Sequence, residues 1–105
     1  MKTPEALAAL TALAQDTRLA VFRRLVAAGP EGLTAGRLGR AVKVAPATLS
    51  FHLKALNNAG LVSARQEGRY VRYVASFTAM NGLVDYLSAN CCGGNPKACR
   101  PEAGT

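Results

Sequence analysis

Residues 33–60, LTAGRLGRAVKVAPATLSFHLKALNNAG, decide how the rest of the chain is read. They predict two short helices joined by a tight turn. Leu33, Leu38 and Val42 supply apolar positions on the first. Pro46 opens the second, because the first position of a helix needs no N–H donor. Asn57, Asn58 and Ala59 lead to Gly60, a residue suited to the left-handed conformation that stops a helix. At about 100° per residue, Leu49, Leu53 and Leu56 share one side, and Ala47, Ser50, Phe51 and Lys54 share the other. A solvated surface has no use for Phe51. A helix lying in a DNA major groove does, since apolar groups meet thymine methyls there. The pattern predicts a helix-turn-helix with 46–59 as its recognition helix.

The next stretch agrees. LVSARQEGRYVRYVAS holds two β-prone runs, Leu61–Gln66 and Tyr70–Ala75, around Glu67-Gly68-Arg69, which reads as a hairpin. Arg65, Arg69 and Arg72 crowd it. A basic hairpin directly after a recognition helix is a wing, so the fold expected is a winged helix-turn-helix.

Charge is distributed to match. The 105 residues carry a formal +7, and half of them are hydrophobic, with six aromatics and no Trp. Between 33 and 75 lie Arg37, Arg40, Lys43, Lys54, Arg65, Arg69 and Arg72 against the single acid Glu67, leaving +1 for the remainder. Phosphate is the polyanion such a face suits. The basic residues do not line one side of a long amphipathic helix, which argues against a membrane surface. No transmembrane segment appears. The start, MKTPEALAALTALAQ, imitates a signal peptide, but Pro4 and Glu5 interrupt the positive-then-apolar order, so it reads as a first helix and the protein as cytoplasmic.

A chain of this length is one domain with a modest core, which a dimer interface would reinforce. An Ala/Leu-rich helix is expected over 4–14, with Leu7, Leu10 and Leu13 as its apolar stripe. A second follows over 17–28, begun by Asp16 and ended by Gly29-Pro30, with Leu19, Phe22 and Val26 on its core side. Thr34 is placed to cap a helix over 35–42. Ser76 or Thr78 starts a last helix to about Asn90, where Phe77, Met80, Val84 and Leu87 recur on one face. The expected architecture is mainly α with a β-hairpin wing, in the order α-α-α-α-β-β-α. It is a homodimer through the first and last helices, because such proteins span two half-sites. The terminal helices could instead simply close one monomer. Residues 1–90 form this DNA-binding and dimerisation domain, and 91–105 a cysteine-bearing tail expected to be mobile without ligand.

With these elements laid out, the sequence resembles the ArsR/SmtB family of homodimeric winged-helix metalloregulatory repressors over about residues 5–90. The resemblance is carried by Asp16-Thr17-Arg18-Leu19, by Thr48-Leu49-Ser50-Phe51-His52-Leu53-Lys54-Ala55-Leu56, by Ala59-Gly60-Leu61-Val62 and by Glu67-Gly68-Arg69-Tyr70. It implies repressors that sit on an inverted-repeat operator near their own promoter and let go when a metal or metalloid binds. One departure matters. The best-known arsenic sensors of the family carry a Cys-x-Cys-like set on the helix before the recognition helix, where this chain reads Gly36-Arg37-Leu38-Gly39-Arg40. An inducer site must lie elsewhere, or there is none.

All three cysteines, Cys91, Cys92 and Cys99, fall within the last fifteen residues. An odd, clustered set is not a disulfide framework. Neighbouring residues on a helix do not face each other, so Cys91 and Cys92 converge only where the helix breaks, which Gly93 and Gly94 provide. Their Cα atoms, about 3.8 Å apart, are too close for the usual disulfide span yet suited to sharing a soft ion. Structural zinc wants four N/S ligands and the cluster offers three. Three thiolates suit trivalent arsenic, whose lone pair takes the fourth corner, and also antimony or bismuth. The resemblance points the same way, since arsenic-sensing members with relocated C-terminal cysteines exist. The third thiol favours inorganic arsenite over methylarsenite. The alternatives are a thiol redox switch using Cys99 with one neighbour, and a DNA binder whose cysteines have no ligand. An enzyme such as a small thiol reductase would want Cys-x-x-Cys at a strand-to-helix turn, and neither spacing nor context is present.

Among the DNA-contacting candidates, Lys54 and Ser50 are placed for groove or phosphate contact, with Ala47 and Phe51 on base edges and Thr48 nearer the flanking phosphate. His52 borders the leucine side by angle, so it is either a packing histidine or a base reader. Arg65, Arg69 and Arg72 are expected to reach backbone phosphate or minor groove from the wing, setting salt dependence more than sequence preference. Arg37 and Arg40 either do likewise or are solvated helix charges.

Overall fold

The computed structural model describes residues 1–94. Helix α1 spans Thr3–Leu13 and α2 spans Asp16–Ala28, followed by a single 3-10 turn at Gly29–Glu31. Strand β1 is Leu33–Thr34, α3 is Ala35–Val42, and α4 is Pro46–Asn58. Strands β2 (Val62–Glu67) and β3 (Tyr70–Ala75) form the hairpin, and α5 runs Phe77–Ser88 before a last 3-10 turn at Cys91–Gly94. The helix-turn-helix and wing lie where the sequence puts them, with β2 one residue later than expected.

Local chemistry explains the boundaries. The Gln15 side chain accepts the Arg18 backbone N–H at 2.8 Å to start α2, and Ser76 Oγ accepts that of Ala79 at 3.1 Å to start α5. Glu5 accepts the Lys2 N–H at 2.8 Å at the head of α1. Pro46 stands at the opening of α4, and Gly60, at φ +76°, turns the chain out of it.

A third strand was not expected. Leu33 and Thr34 pair antiparallel with Tyr73 and Arg72, so the sheet has the order β1-β3-β2. Thr34 does precede α3 in extended conformation and pairs with Arg72, but its side chain makes no capping bond. Gly32 makes this approach possible. It has φ +61°, and a Cβ there would lie 2.0 Å from the Tyr73 carbonyl oxygen.

The core is built by α2, α3, α4 and the wing base, with Val21, Leu25, Leu38, Leu56 and Leu61 fully enclosed. Three stripes read from sequence are rotated. In α1 the buried residues are Ala6, Ala9 and Ala12, while Leu7 is 58% exposed and Leu10 is exposed too. Small side chains let that helix lie close on the core. In α2, Val21, Phe22 and Leu25 point inward and Leu19 outward. In α5, Leu83 is buried and Phe77 and Met80 are partly so, but Val84 and Leu87 are exposed. The two terminal helices meet through Thr3 Oγ1 and the Tyr86 hydroxyl, 2.5 Å apart. Leu7, Leu10, Val84 and Leu87 thus leave an apolar surface on this single chain.

Candidate nucleic-acid interface

Helix α4 is held by its leucines. Leu49, Leu53 and Leu56 are buried, and Ala47, Thr48, Ser50, Phe51 and Lys54 are all exposed, as the spacing predicted. The turn before it folds tightly. Lys43 is left-handed at φ +58°, and the Val44 N–H returns to the Gly39 carbonyl at 3.0 Å. Gly39 leaves room for this, since a Cβ would stand 3.1 Å from the Val44 carbonyl oxygen. Arg37 and Arg40 are exposed on α3.

His52 turns inward at 8% exposure, which makes it a packing residue rather than a member of the outer face. Its Nδ1 lies 3.4 Å from Arg18 Nη1. A guanidinium only donates, so Nδ1 is the acceptor of this contact. Arg18 Nε also donates to the Ala12 carbonyl at 2.6 Å, at the end of α1. One side chain of α2 therefore ties α1 to the recognition helix. The Phe51 ring meets the His52 ring edge to face, with centroids 5.4 Å apart at 72°. Asn57 Nδ2 donates to the Val62 carbonyl at 3.0 Å and joins the end of α4 to the wing.

The wing arginines divide. Arg65 and Arg72 stand opposite each other in the ladder, an arrangement that like charges disfavour. Glu67 resolves it. Its Oε2 accepts from Arg65 Nε at 3.1 Å and its Oε1 from Arg72 Nε at 2.9 Å. The Arg72 hydrogen bond holds the Glu67 carboxyl below its ordinary value, opposed by desolvation and helped by the Arg65 bond. Arg72 Nη1 also donates to the Glu31 carbonyl at 3.1 Å, so Arg72 braces the wing instead of standing out from it. Arg69 and Tyr70 are exposed at the hairpin end.

In the turn after α5, Cys91 is half-buried and Cys92 exposed. Asn90 and Cys92 are both left-handed, at φ +59° and +54°, so the helix ends at Ser88, before the cysteines, and not after them at Gly93 and Gly94 as expected. Cys92 is disulfide-bonded, and Cys99 lies outside the described residues. Among the described residues, no three His, Cys, Asp or Glu side chains converge as a metal site, and no helix is long and apolar enough to cross a membrane.

Comparison with known proteins places this geometry. Residues 13–64 match the family described as Helix-turn-helix domain. The structure is similar to that of an ArsR-like transcriptional regulator from Rhodococcus sp. RHA1, with a TM-score of 0.74 and 25% identity over 91% of this chain and 88% of that one. The fold is the ArsR-type winged helix-turn-helix. The same fold occurs in a homodimeric winged helix-turn-helix DNA-binding domain from Mycobacterium bovis, a possible ArsR-family regulator, at TM-score 0.66 and 24% identity over 89% of this chain and 86% of that fragment. An uncharacterized HTH-type transcriptional regulator of Bacillus subtilis (strain 168), YceK, is 38% identical over 64 residues, which is 61% of this chain. The chain spans 62% of that relative's length.

Within this ArsR-type fold, sequence reasoning passed over Arg18, Asn57 and Glu67. Arg18 and His52 are 34 positions apart, and no local pattern connects them. Glu67 carried a readable signal, as the one acid among seven cations between 33 and 75.

Proposed function

We infer that the protein is a transcriptional repressor that binds double-stranded operator DNA as a homodimer and releases it when trivalent arsenic binds Cys91, Cys92 and Cys99. The observation that carries the DNA-binding part is the outer face of α4, where Phe51 is 68% exposed beside Ala47, Ser50 and Lys54. Arg69 and the cations of α3 extend that face toward phosphate.

Dimerisation is supported by the apolar surface of α1 and α5 and by the homodimeric M. bovis neighbour. Two recognition helices then meet an inverted repeat about one helical turn, ~34 Å, apart. The inducer assignment is supported by two adjacent cysteines at a sharp backbone turn just beyond the proposed dimer helix. The donor set is soft and offers too few ligands for structural zinc. Antimony and bismuth satisfy the same chemistry, and inorganic arsenite uses the third thiol that methylarsenite would leave idle. Ligand at the end of α5 would shift α5 against α1, and Arg18 passes the movement from α1 to α4. Near-complete release needs the inducer to favour the off-DNA form by about 10⁴-fold.

A second reading is favoured by the disulfide at Cys92. In it, reversible oxidation of the same thiols takes the place of metalloid binding. Fluorescence anisotropy on promoter DNA decides between them, with reduced protein titrated with arsenite, zinc and peroxide. Arsenite should release wild-type protein, whereas Cys99→Ser should keep its DNA affinity and lose that release. Release by peroxide alone would move the assignment to the redox switch. Normal arsenite release in Cys99→Ser would remove Cys99 from the site.

A further inference from the structure

We propose that the recognition helix reads its half-site through thymine methyl groups, with Phe51 as the specificity-determining contact. This rests on the DNA-binding reading above and specifies what that surface recognises.

The inventory of α4 leads there by chemistry. In the major groove, guanine is read by Arg or Lys, adenine by the amide of Asn or Gln, cytosine by Asp or Glu, and the thymine methyl by an apolar group. Pro46–Asn58 contains no Arg, Gln, Asp or Glu. Its two amides sit at its last positions, away from the N-terminal residues that enter a groove. Asn57 is engaged by the Val62 carbonyl, and Asn58 lines a depression against α1 together with Leu7 and Ala55. His52 is buried. The groove-facing set is therefore two hydroxyls, one amine, the Ala47 methyl and the Phe51 ring. Hydroxyls donate and accept alike and discriminate little, and Lys54 is a point charge that serves phosphate as well as guanine.

Phe51 remains as the large unpartnered group, and it is placed. Its ring stands edge to face against His52, which is enclosed and held by Arg18. Ala47 lies one turn before Phe51 on the same face, so the two form a short apolar ridge. Burying one methyl-sized group against such a ridge is worth about a fourfold change in affinity, from ~0.8 kcal/mol per carbon.

The test begins with selection of the preferred duplex from a randomised library by the wild-type protein. That duplex is then made with deoxyuridine in place of thymidine in its half-sites, which removes the methyls and keeps the pairing. Wild-type protein should bind the uridine duplex about fourfold more weakly for each contacted methyl. Phe51→Ala should bind both duplexes alike and more weakly than wild type binds the thymidine form, while melting as wild type does. Phe51→Leu should regain part of the discrimination. Equal wild-type affinity for the two duplexes overturns the proposal. So does a Phe51→Ala protein that keeps the full preference, because the methyls would then act through duplex shape or another residue. If no duplex is enriched by selection, the DNA-binding reading itself fails and takes this one with it.

Discussion

Arg18→Ala should destabilise the domain by about 2–3 kcal/mol. The guanidinium makes two contacts that alanine cannot replace, at 2.6 Å to the Ala12 carbonyl and 3.4 Å to His52 Nδ1. A hydrogen bond from a charged donor is worth about 1.5–3 kcal/mol, and a buried acceptor left without its donor costs about 1 or more. The second contact is long, so most of the loss belongs to the first. Set against a total stability of about 5–15 kcal/mol, this is a large fraction. It corresponds to a fall in melting temperature of about 10–20 °C for a domain of this size. Urea unfolding followed by circular dichroism measures it, with the slope against denaturant unchanged. Arg18→Lys should recover only part, since an ammonium cannot reproduce the fork that meets both acceptors. His52→Ala combined with Arg18→Ala should cost less than the two single changes added together, because both remove the same contact. A midpoint for Arg18→Ala within experimental error of wild type would refute the strut, and strict additivity would refute its link to α4.

Glu67 gives a pH dependence of known sign. Its carboxyl is held below the ordinary 4.5, so the stability it confers is present above that pH and is lost as pH falls through the lower folded value. The difference in melting temperature between wild type and Glu67→Gln should therefore shrink in acid, and a difference constant from neutrality to about pH 3 would contradict the arginine clamp. Leu87→Glu should yield monomers in sedimentation. Losing ~1.5–3 kcal/mol of apolar burial twice in a symmetric interface weakens association more than about 100-fold; an unaltered dimer would place the interface elsewhere. Lys54→Ala should weaken operator binding and lower the salt slope by about one per subunit without changing the arsenite affinity of the free protein. Equal loss of both would indicate misfolding.

What was legible in the chain follows from how locally each feature is encoded. Helix α4 was readable because Leu49, Leu53 and Leu56 repeat on one face, and Pro46 and Gly60 mark its ends. The hairpin was readable because β-prone runs flank Gly68. Strand β1 was not, since two residues carry no periodicity and Leu33–Thr34 is a strand only where β3 lies beside it. The face of α1 was misread for another reason. A helix of alanine and leucine is apolar nearly all round, and its rotation is chosen by how closely it can approach the core, which favours Ala6, Ala9 and Ala12. Counting arginines in the wing found the basic hairpin but missed its internal pairing. The ladder register that sets Arg65 opposite Arg72 is what makes Glu67 a clamp.

Several polar residues near the candidate interface are used internally by the fold. Arg72, expected at phosphate, braces the wing against the Glu31 carbonyl; His52, left open between packing and base reading, supports Phe51; and Asn57 secures the junction of α4 and β2. On α4 and the hairpin end, Lys54 and Arg69 are the outward cations not tied to Glu67, while Arg37 and Arg40 stand exposed on α3. With one cation on the recognition helix, base preference there depends on the fit of its apolar ridge to the groove. Its grip is then sensitive to small rotations of α4. The strut from the end of α1 to His52 bears on that orientation, because Arg18 fixes the buried ring against which Phe51 stands.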